Sequence, residues 1–338
     1  MSGPSLSPTE IGKYAINLGY EVVASTYQPD ELYFPKFTRV IPISAMVDAP
    51  YGHKSIGLVG NATPRKRVDG EQIQAGRMTE SYPWQLATSE YADSLKIPES
   101  LLEAAGAQRR VQSLIETFIA DFTKRAMIVK DEFVAGMLQK GTLSAGSLDY
   151  FNDGYVGQSA ISPKFIYDGK PWFAASGNAH PLKAATNAGS QGVNLTASLT
   201  LSATALDTVT TAMSVTNAVD EVGKRILIQP KWLVVPRQLR TTALQILQSE
   251  GSPADSTNAI NPMRGMLEPL IHPFLTDDTS AWWVLTADAG VTVADSGAPV
   301  IEQYRDYETK STVVQASFRF GAAVNDWRGA YCADKAVS

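Results

Sequence analysis

The sequence is poor in the residues that most often carry metal binding, catalysis and covalent cross-links. It has one cysteine, Cys332, in 338 residues, so an intramolecular disulfide is impossible and a reducing compartment is expected. The three histidines, His53, His180 and His272, are far apart and do not have the spacing of a zinc site. We therefore expect no metal and no cofactor, and we interpret these side chains as buried or solvated.

Long apolar runs and an excess of basic residues are also absent. No apolar run approaches the ~18 residues needed to span a bilayer, and residues 1–5 lack the features of a signal peptide. We therefore expect a cytosolic protein without membrane contact, and interpret the sequons at Asn61 and Asn194 as chance. The net charge is −5, which argues against a protein that grips nucleic acid. It does not argue against a protein that encloses DNA.

Signature motifs of common enzymes are missing as well. The sequence has no nucleophile elbow, Walker loop, dinucleotide fingerprint or His-Glu-x-x-His. Residues 149–154 offer oxygen ligands without the spacing of an EF-hand, and Asp277-Asp278 is interpreted as a solvated turn. We therefore predict no catalytic residues and no enzymatic activity.

What the chain does contain is an ordinary globular composition. Hydrophobic residues make up 44% and charged residues 19% of the sequence, enough for one large domain or two to three smaller ones. The segment boundaries are clearest between Ile226 and Pro273. The sequence pattern there predicts an apolar strand, a helix over Arg237–Glu250, a polar loop and a second strand from Leu267. This unit favours a soluble α/β enzyme, the alternative from another functional class, but its polar residues do not converge.

The N-terminal half predicts a helix and an extended arm before a hairpin. Residues 9–24 indicate a short helix interrupted by Gly12 and Gly19, and prolines favour an extended segment over 27–42. Residues 43–90 are interpreted as two β arms around a polar tip, with an Asp-Gly turn signal. Because both arms contain Gly and Pro, the hairpin is expected to protrude from the domain.

The longest helix is predicted over Leu101–Gln139. Its apolar residues recur in steps of three and four along one stripe, and its length would be roughly 58 Å at 1.5 Å per residue. The pattern places Lys130 and Asp131 on the opposite, polar face. Further elements are predicted downstream: a tight hairpin over 165–175, a helix over 202–215, and strands over 282–286, 300–304 and 313–324, the last half-buried.

The densest basic run lies at the predicted hairpin tip. Arg65, Lys66 and Arg67 are followed by Asp69 and Glu71, so both signs of charge occur in one short segment. Two interpretations stay open, a solvated tip and a charged contact with a neighbouring subunit. Nucleic-acid binding is a weaker third, because three charges give little affinity without an aromatic platform.

The order of these parts resembles the major capsid protein of tailed phages, which has the Hong Kong 97 fold. The second half, residues 165–331, is more specifically similar to the Mu-type major head subunit. That similarity rests on short motifs at Tyr167–Phe173, Ile228–Pro236, Asn261–Gly265, Trp282–Leu285, Phe318–Gly321 and Asp326–Gly329. The first half resembles the family in architecture and not in motifs.

The resemblance implies an α+β fold of the Hong Kong 97 type with four parts. These are an N-terminal arm (1–42), an extended β-hairpin loop (43–90), a peripheral domain with the long spine helix (91–160 and 300–338) and an axial domain (161–299). The polar loop at Gly251–Met263 would then point toward a symmetry axis.

The resemblance also implies a function and partners. Copies would assemble in the host cytoplasm into hexamers and pentamers of an icosahedral shell, which in the virion encloses double-stranded DNA without sequence-specific binding. Scaffold and portal proteins would be partners, and a decoration protein stays open. Some relatives cross-link Lys to Asn, but no such pair is identified here and none is predicted. The alternative is an encapsulin-like nanocompartment shell of the same fold, which would enclose a cargo enzyme.

Overall fold

The computed structural model describes residues 8–45, 53–60, 78–86, 88–102, 107–142, 170–177, 179–180, 192–219, 225–251 and 260–335. The α-helices in these residues are α1 (Pro8–Thr26), α2 (Glu99–Leu102), α3 (Ala107–Gln139), α4 (Ala203–Thr211) and α5 (Arg240–Gln248). The strands are β1 (Arg39–Pro42), β2 (His53–Gly60), β3 (Met78–Leu86), β4 (Ser89–Pro98), β5 (Leu195–Thr196), β6 (Trp232–Val235), β7 (Glu268–Ile271), β8 (Trp282–Leu285), β9 (Val291–Asp295), β10 (Val300–Asp306), β11 (Ser311–Val324) and β12 (Ala330–Ala333). The fold class is therefore α+β, as predicted.

The first sheet is organised around the long strand β11. Its N-terminal part pairs antiparallel with β10 on one side and β4 on the other, and its C-terminal part pairs with β9, which in turn pairs with β1. Val314 and Ala316 face α1 and α3, where they join Ile115 and Ile119 in one apolar cluster. The prediction of a half-buried strand was incomplete, because Val313 on the other face is also fully buried.

The second sheet has the order β5-β12-β8-β6-β7. Strands β6 and β7 are parallel and are joined by α5, which is the α/β unit read from the sequence. Strand β6 runs from Trp232 to Val235, so the prediction of a strand from Ile226 is confirmed for its second half, while residues 226–231 lie outside the sheet. Pro230 explains part of this difference, because proline has no N–H to donate to a ladder.

The hairpin β2–β3 forms the two arms predicted around the polar tip. The strands pair antiparallel from His53 opposite Leu86 to Gly60 opposite Met78, with one irregularity between Ile56 and Leu58. The chain then enters β4 and joins the first sheet along β11.

Several local predictions differ from the structure. Helix α1 continues through Gly12 and Gly19, and at Gly19 a Cβ would lie 3.2 Å from Ile119 and Ile301, so the glycine permits close packing. The segment 27–42 contains two 3₁₀ turns, Pro29–Glu31 and Phe34–Lys36, before β1. Helix α4 ends in a π-helical turn, Ala212–Thr216. The predicted hairpin at 165–175 has no strand in its described part, residues 170–175.

The sheets do not follow the predicted division at residues 299 and 300. Strand β9, which the prediction gave to the axial part, pairs with β11 in the first sheet. Strand β12, which the prediction gave to the peripheral part, pairs with β8 in the second sheet. The chain therefore crosses between the two sheets twice near its C-terminal end, first before β9 and again before β12.

Candidate functional surfaces

The predicted site at the hairpin tip consists of Arg65, Lys66, Arg67, Asp69 and Glu71, and it lies outside the described residues. The strands that lead to it are described. Leu86, at the base of the hairpin, is fully buried and clusters with Ala294 of β9 and Ala323 of β11. The hairpin is thus anchored at its base to the first sheet.

The histidines and the cysteine do not form a metal site within the described residues, where no group of three or more His, Cys, Asp or Glu could hold an ion. His180 is buried and stacks on Trp327 at 4.4 Å between ring centroids, and its Nε2 lies 3.2 Å from the Trp172 carbonyl oxygen. Cys332 is fully buried as predicted, and burial raises the pKa of its thiol far above the ordinary range. Such a thiol is inert.

His272 links the N-terminal segment to the end of β7. Its ring lies 4.9 Å from the ring of Tyr33 and also contacts Phe37 and Phe274. Nδ1 accepts a hydrogen bond from the Phe274 N–H at 3.3 Å, so Nε2 carries the proton of the neutral ring. Burial, reinforced by the positive charge of Lys36, lowers the pKa of His272 to about 4. The imidazole is therefore neutral at pH 7 and serves packing.

Asn194 joins three separate stretches of the chain just before β5. Its Oδ1 accepts from the Ala174 N–H at 2.8 Å. Its Nδ2 lies 2.7 Å from the Trp172 carbonyl, 3.2 Å from that of Trp327 and 3.2 Å from that of Ala330. The side chain is completely buried, so its role is structural, and the sequon that contains it presents no accessible amide in the folded chain.

A buried ion pair connects helix α3 to the turn after β9. Lys130 was predicted on the polar face of the helix, but its side chain is fully buried and lies 2.7 Å from a carboxylate oxygen of Asp295. Its ammonium also donates to the Gly297 carbonyl at 2.7 Å and lies over the rings of Tyr27 and Phe318. Burial lowers the pKa of Lys130, and Asp295 opposes that shift. The pair fixes the register of α3 on the first sheet.

The neighbouring carboxylate fixes the N-terminal segment on the same helix. Asp131, also predicted on the polar face, is buried and accepts hydrogen bonds from the Tyr33 and Phe34 N–H groups at 3.0 Å each. Burial raises its pKa, and these two backbone N–H groups oppose the rise. Lys130 and Asp131 therefore hold two different segments against α3.

The outer face and tip of the β10–β11 hairpin form an exposed surface of mixed character. Val300, Tyr304 and Tyr307 are largely exposed, and Arg305 lies over the Tyr307 ring. Ion pairs join this region to β4 and α2: Lys96 with Asp306, Arg319 with Glu90, and Arg305 with Glu99. Exposed pairs of this kind contribute little to stability, so this surface is held mainly by its strand pairing.

A second exposed surface lies at the end of the second sheet where β6 and β7 begin. We call it the apolar end, and it comprises Val215, Ile226, Leu227, Ile260 and Met266, which are all exposed large aliphatic residues. Beside it runs an open groove of about 230 Å³ between α4 with its π-helical turn on one side and Pro230, Met266 and Leu267 on the other. Sequence reasoning missed this surface because it assigned Ile226 and Leu227 to a buried strand.

These observations describe surfaces rather than a reaction centre. Buried polar side chains such as Lys130 and Asn194 are engaged in internal contacts, whereas the buried Thr312 hydroxyl has no hydrogen-bond partner among the described residues. The exposed polar side chains are dispersed over both sheets. Among the described helices none is long and apolar enough to cross a membrane.

Comparison with known proteins gives one family match. A family model described as phage capsid protein matches residues 113–333, which include most of α3 and the whole second sheet. No curated protein matches the chain significantly.

Solved structures that resemble the chain are distant in sequence. The capsid of Myoviridae phage XM1 is 12% identical, with a TM-score of 0.48 over 91% of this chain and 93% of that chain. The capsid of Ralstonia phage GP4 is 13% identical, with a TM-score of 0.47 over 87% and 86%. A phage-related protein from Bordetella bronchiseptica RB50 is 13% identical, with a TM-score of 0.45 over 95% and 96%. The functional conclusion rests on the family match and not on these similarities.

Proposed function

The chain belongs to the phage capsid protein family, and we propose that it is the major subunit whose hexamers and pentamers build an icosahedral shell around double-stranded DNA. It is a structural protein of the virion capsid, which is assembled from many copies. The observation that carries the proposal is the family match over residues 113–333. The family match supports neither a nanocompartment shell nor a soluble enzyme.

The division into parts is proposed with the boundaries adjusted to the strand pairing. Residues 1–38 would form the N-terminal arm and 43–88 the extended loop, because β1 and β4 pair within the first sheet. The peripheral part contains α3 and the first sheet, to which β9 is now added. The axial part contains the second sheet, to which β12 is added. Helix α3, with 33 residues, would be about 50 Å long at 1.5 Å per residue, which suits a spine.

The shell would enclose DNA without recognising its sequence. The net charge of −5 supports a container whose inner surface does not bind phosphates strongly. Scaffold and portal proteins would take part in assembly in the host cytoplasm. The more specific assignment to the Mu-type head subunits rests on the motifs of residues 165–331. All six of them supply buried residues, among them Trp172, Leu233, Trp282 and Trp327.

The hairpin tip is proposed to contact a neighbouring subunit. Arg65, Lys66 and Arg67 would meet acidic groups, while Asp69 and Glu71 would meet basic ones. Each exposed pair would contribute only ~0.2–1 kcal/mol, so the contact depends on repetition around the shell. Arg65→Glu with Arg67→Glu is expected to lower particle yield and thermal stability of the shell. Unchanged assembly and stability would remove this contact from the proposal.

The test of the function is the size and content of the purified particles. Size-exclusion chromatography and negative-stain electron microscopy are expected to show closed shells in the megadalton range. Particles from infected or induced cells are expected to contain nuclease-resistant DNA. A discrete monomer or dimer under all assembly conditions would contradict the proposal. Shells that hold an enzyme and no DNA would point to a nanocompartment.

A further inference from the structure

Five exposed large aliphatic residues in the described part of the chain lie at the apolar end, whereas Val40, Leu114, Ile128 and Val300 lie elsewhere. Of the large hydrophobic residues that are exposed among the described residues, Leu227 at 84% and Ile260 at 88% are the most exposed. Both belong to the apolar end, together with Val215, Ile226 and Met266. Single exposed apolar residues need no explanation, but a cluster of this kind marks an interaction surface.

Local contacts hold these residues in one region. Ile226 donates its N–H to the Ala218 carbonyl, just beyond the π-helical turn that carries Val215. On the other side, Asn261 donates to the Ile246 carbonyl at 2.7 Å and to the Ser249 carbonyl at 3.1 Å, which fixes the residue after Ile260 to the C-terminal end of α5. Val215 and Met266 line the same groove, which places these two sides next to each other.

The groove beside the apolar end is suited to an apolar side chain with polar groups at its edge. Val215, Met266 and Pro230 supply the apolar lining, and Thr211, Ser214 and Asp207 supply hydroxyl and carboxylate groups. Residues that contribute most to a protein interface commonly sit in well-packed recesses from which water is excluded.

The charges around the apolar end indicate which class of partner fits it. Three basic and three acidic residues are exposed there: Arg225, Lys231, Arg264, Asp207, Glu250 and Glu268. Arg264 and Glu250 lie 3.3 Å apart, so one basic and one acidic residue of this set are paired. A nucleic-acid partner would require a basic excess, whereas a balanced rim is complementary to a second surface with the same balance.

We propose that the apolar end is a contact between neighbouring copies of this chain, in which aliphatic side chains of one copy occupy the groove of the next. The proposal rests on the function proposed above, because only a shell of many copies provides this partner in a fixed geometry. A groove and projecting aliphatic residues on the same subunit allow head-to-tail contacts that close into rings. The contact is separate from the one proposed for the hairpin tip.

The test compares assembly of Leu227→Asp and Ile260→Asp with that of the wild-type chain and of Leu114→Asp. Leu114 is the matched control, because it is an exposed leucine, at 43%, on α3. We expect the two variants at the apolar end to remain folded by circular dichroism and to lose roughly tenfold or more in particle yield, since a buried aliphatic group becomes a charge. The control is expected to assemble as the wild type does.

Each outcome has a definite meaning. Normal yields for Leu227→Asp and Ile260→Asp, or an equal loss in Leu114→Asp, would overturn the self-contact. If the variants do not fold, hydrogen–deuterium exchange of the wild-type chain decides: residues 225–231 and 260–267 must become protected on going from subunit to shell, and unchanged uptake overturns the proposal. Failure of the wild type to assemble would instead contradict the proposed function.

Discussion

Removal of the Asn194 side chain tests how the second sheet is held to the rest of the chain. Asn194→Ala deletes the acceptor of the Ala174 N–H and the donor to the Trp172, Trp327 and Ala330 carbonyls. The amide has two N–H groups for three carbonyls, so the contacts at 3.2 Å share hydrogens. The change therefore breaks about three full hydrogen bonds at a completely buried position.

The expected cost follows from what is left behind. A typical hydrogen bond contributes ~0.5–1.5 kcal/mol net, and a buried group that loses its partner costs ~1–3 kcal/mol. Because the Ala174 N–H and the Trp172 carbonyl would both lose a short bond, we expect Asn194→Ala to destabilise the subunit by about 3–5 kcal/mol. Asn194→Asp, with nearly the same shape, should cost at least as much, since it turns a carboxyl oxygen toward three carbonyls.

The assay is urea unfolding of the unassembled subunit, followed by circular dichroism at pH 7. Asn217→Ala is the matched control, because Asn217 is also buried but its amide makes one hydrogen bond to the described residues, to the Val193 carbonyl at 2.8 Å. That variant should lose only about 1–2 kcal/mol. If Asn194→Ala loses no more than Asn217→Ala, or if Asn194→Asp is as stable as the wild type, the junction does not hold the sheet as argued.

Three further predictions use the same unfolding assay. Gly290→Ala should prevent stable folding, because its Cβ would lie 1.8 Å from the Asp326 carbonyl oxygen. Gly297→Ala is the control, since Gly297 is also at positive φ but faces open space, and it should lower the free energy of unfolding by only about 1–2 kcal/mol. Equal losses in the two variants would refute the steric explanation. Lys130→Met should lower the free energy of unfolding by about 3–5 kcal/mol, because it leaves the Asp295 carboxylate without its partner. Adding Asp295→Asn should recover part of that loss. A double variant that is less stable than Lys130→Met alone would contradict this explanation. The pKa of His272 is about 4 in the folded chain against 6.5 as its ordinary value, so the unfolded chain takes up the proton first. The contribution of the neutral His272 to the free energy of unfolding is complete above pH 6.5. It falls by about 3 kcal/mol as the pH drops to 4. His272→Phe should show a correspondingly shallower loss of stability, and identical pH profiles would disprove the assignment.

The elements that could be predicted are those whose cause is local. Strand β8 could be predicted from the apolar run of Trp282 to Leu285. The hairpin β2–β3 could be predicted from two strand-like segments on either side of an Asp-Gly turn signal in the sequence. Strand β9 was not predicted. Residues 291–295 lie between glycines and are fully buried only because β1 and β11 flank them. Pairing between residues far apart in sequence leaves no periodic pattern.

The charged residues of α3 show a second reason why sequence reasoning was incomplete. A helical period assigns Lys130 and Asp131 to the polar face because charges are usually solvated. Their burial depends on Asp295 and on the backbone N–H groups of Tyr33 and Phe34, which come from other parts of the chain. The candidate site at the hairpin tip could be proposed from its mixed charges, whereas the apolar end required knowing that β6 begins at Trp232.

The subunit gives the buried Lys130 and Asn194 internal partners and leaves an apolar surface exposed. The ammonium of Lys130 is fully buried with its counter-ion, and the Asn194 amide is buried with all of its hydrogen-bonding groups engaged. Leu227 and Ile260 are nevertheless more than four-fifths exposed, although burying such a side chain would contribute ~1.5–3 kcal/mol. Under the proposed self-contact, a neighbouring subunit would cover these two side chains, and their contribution to stability would appear only in the assembled shell.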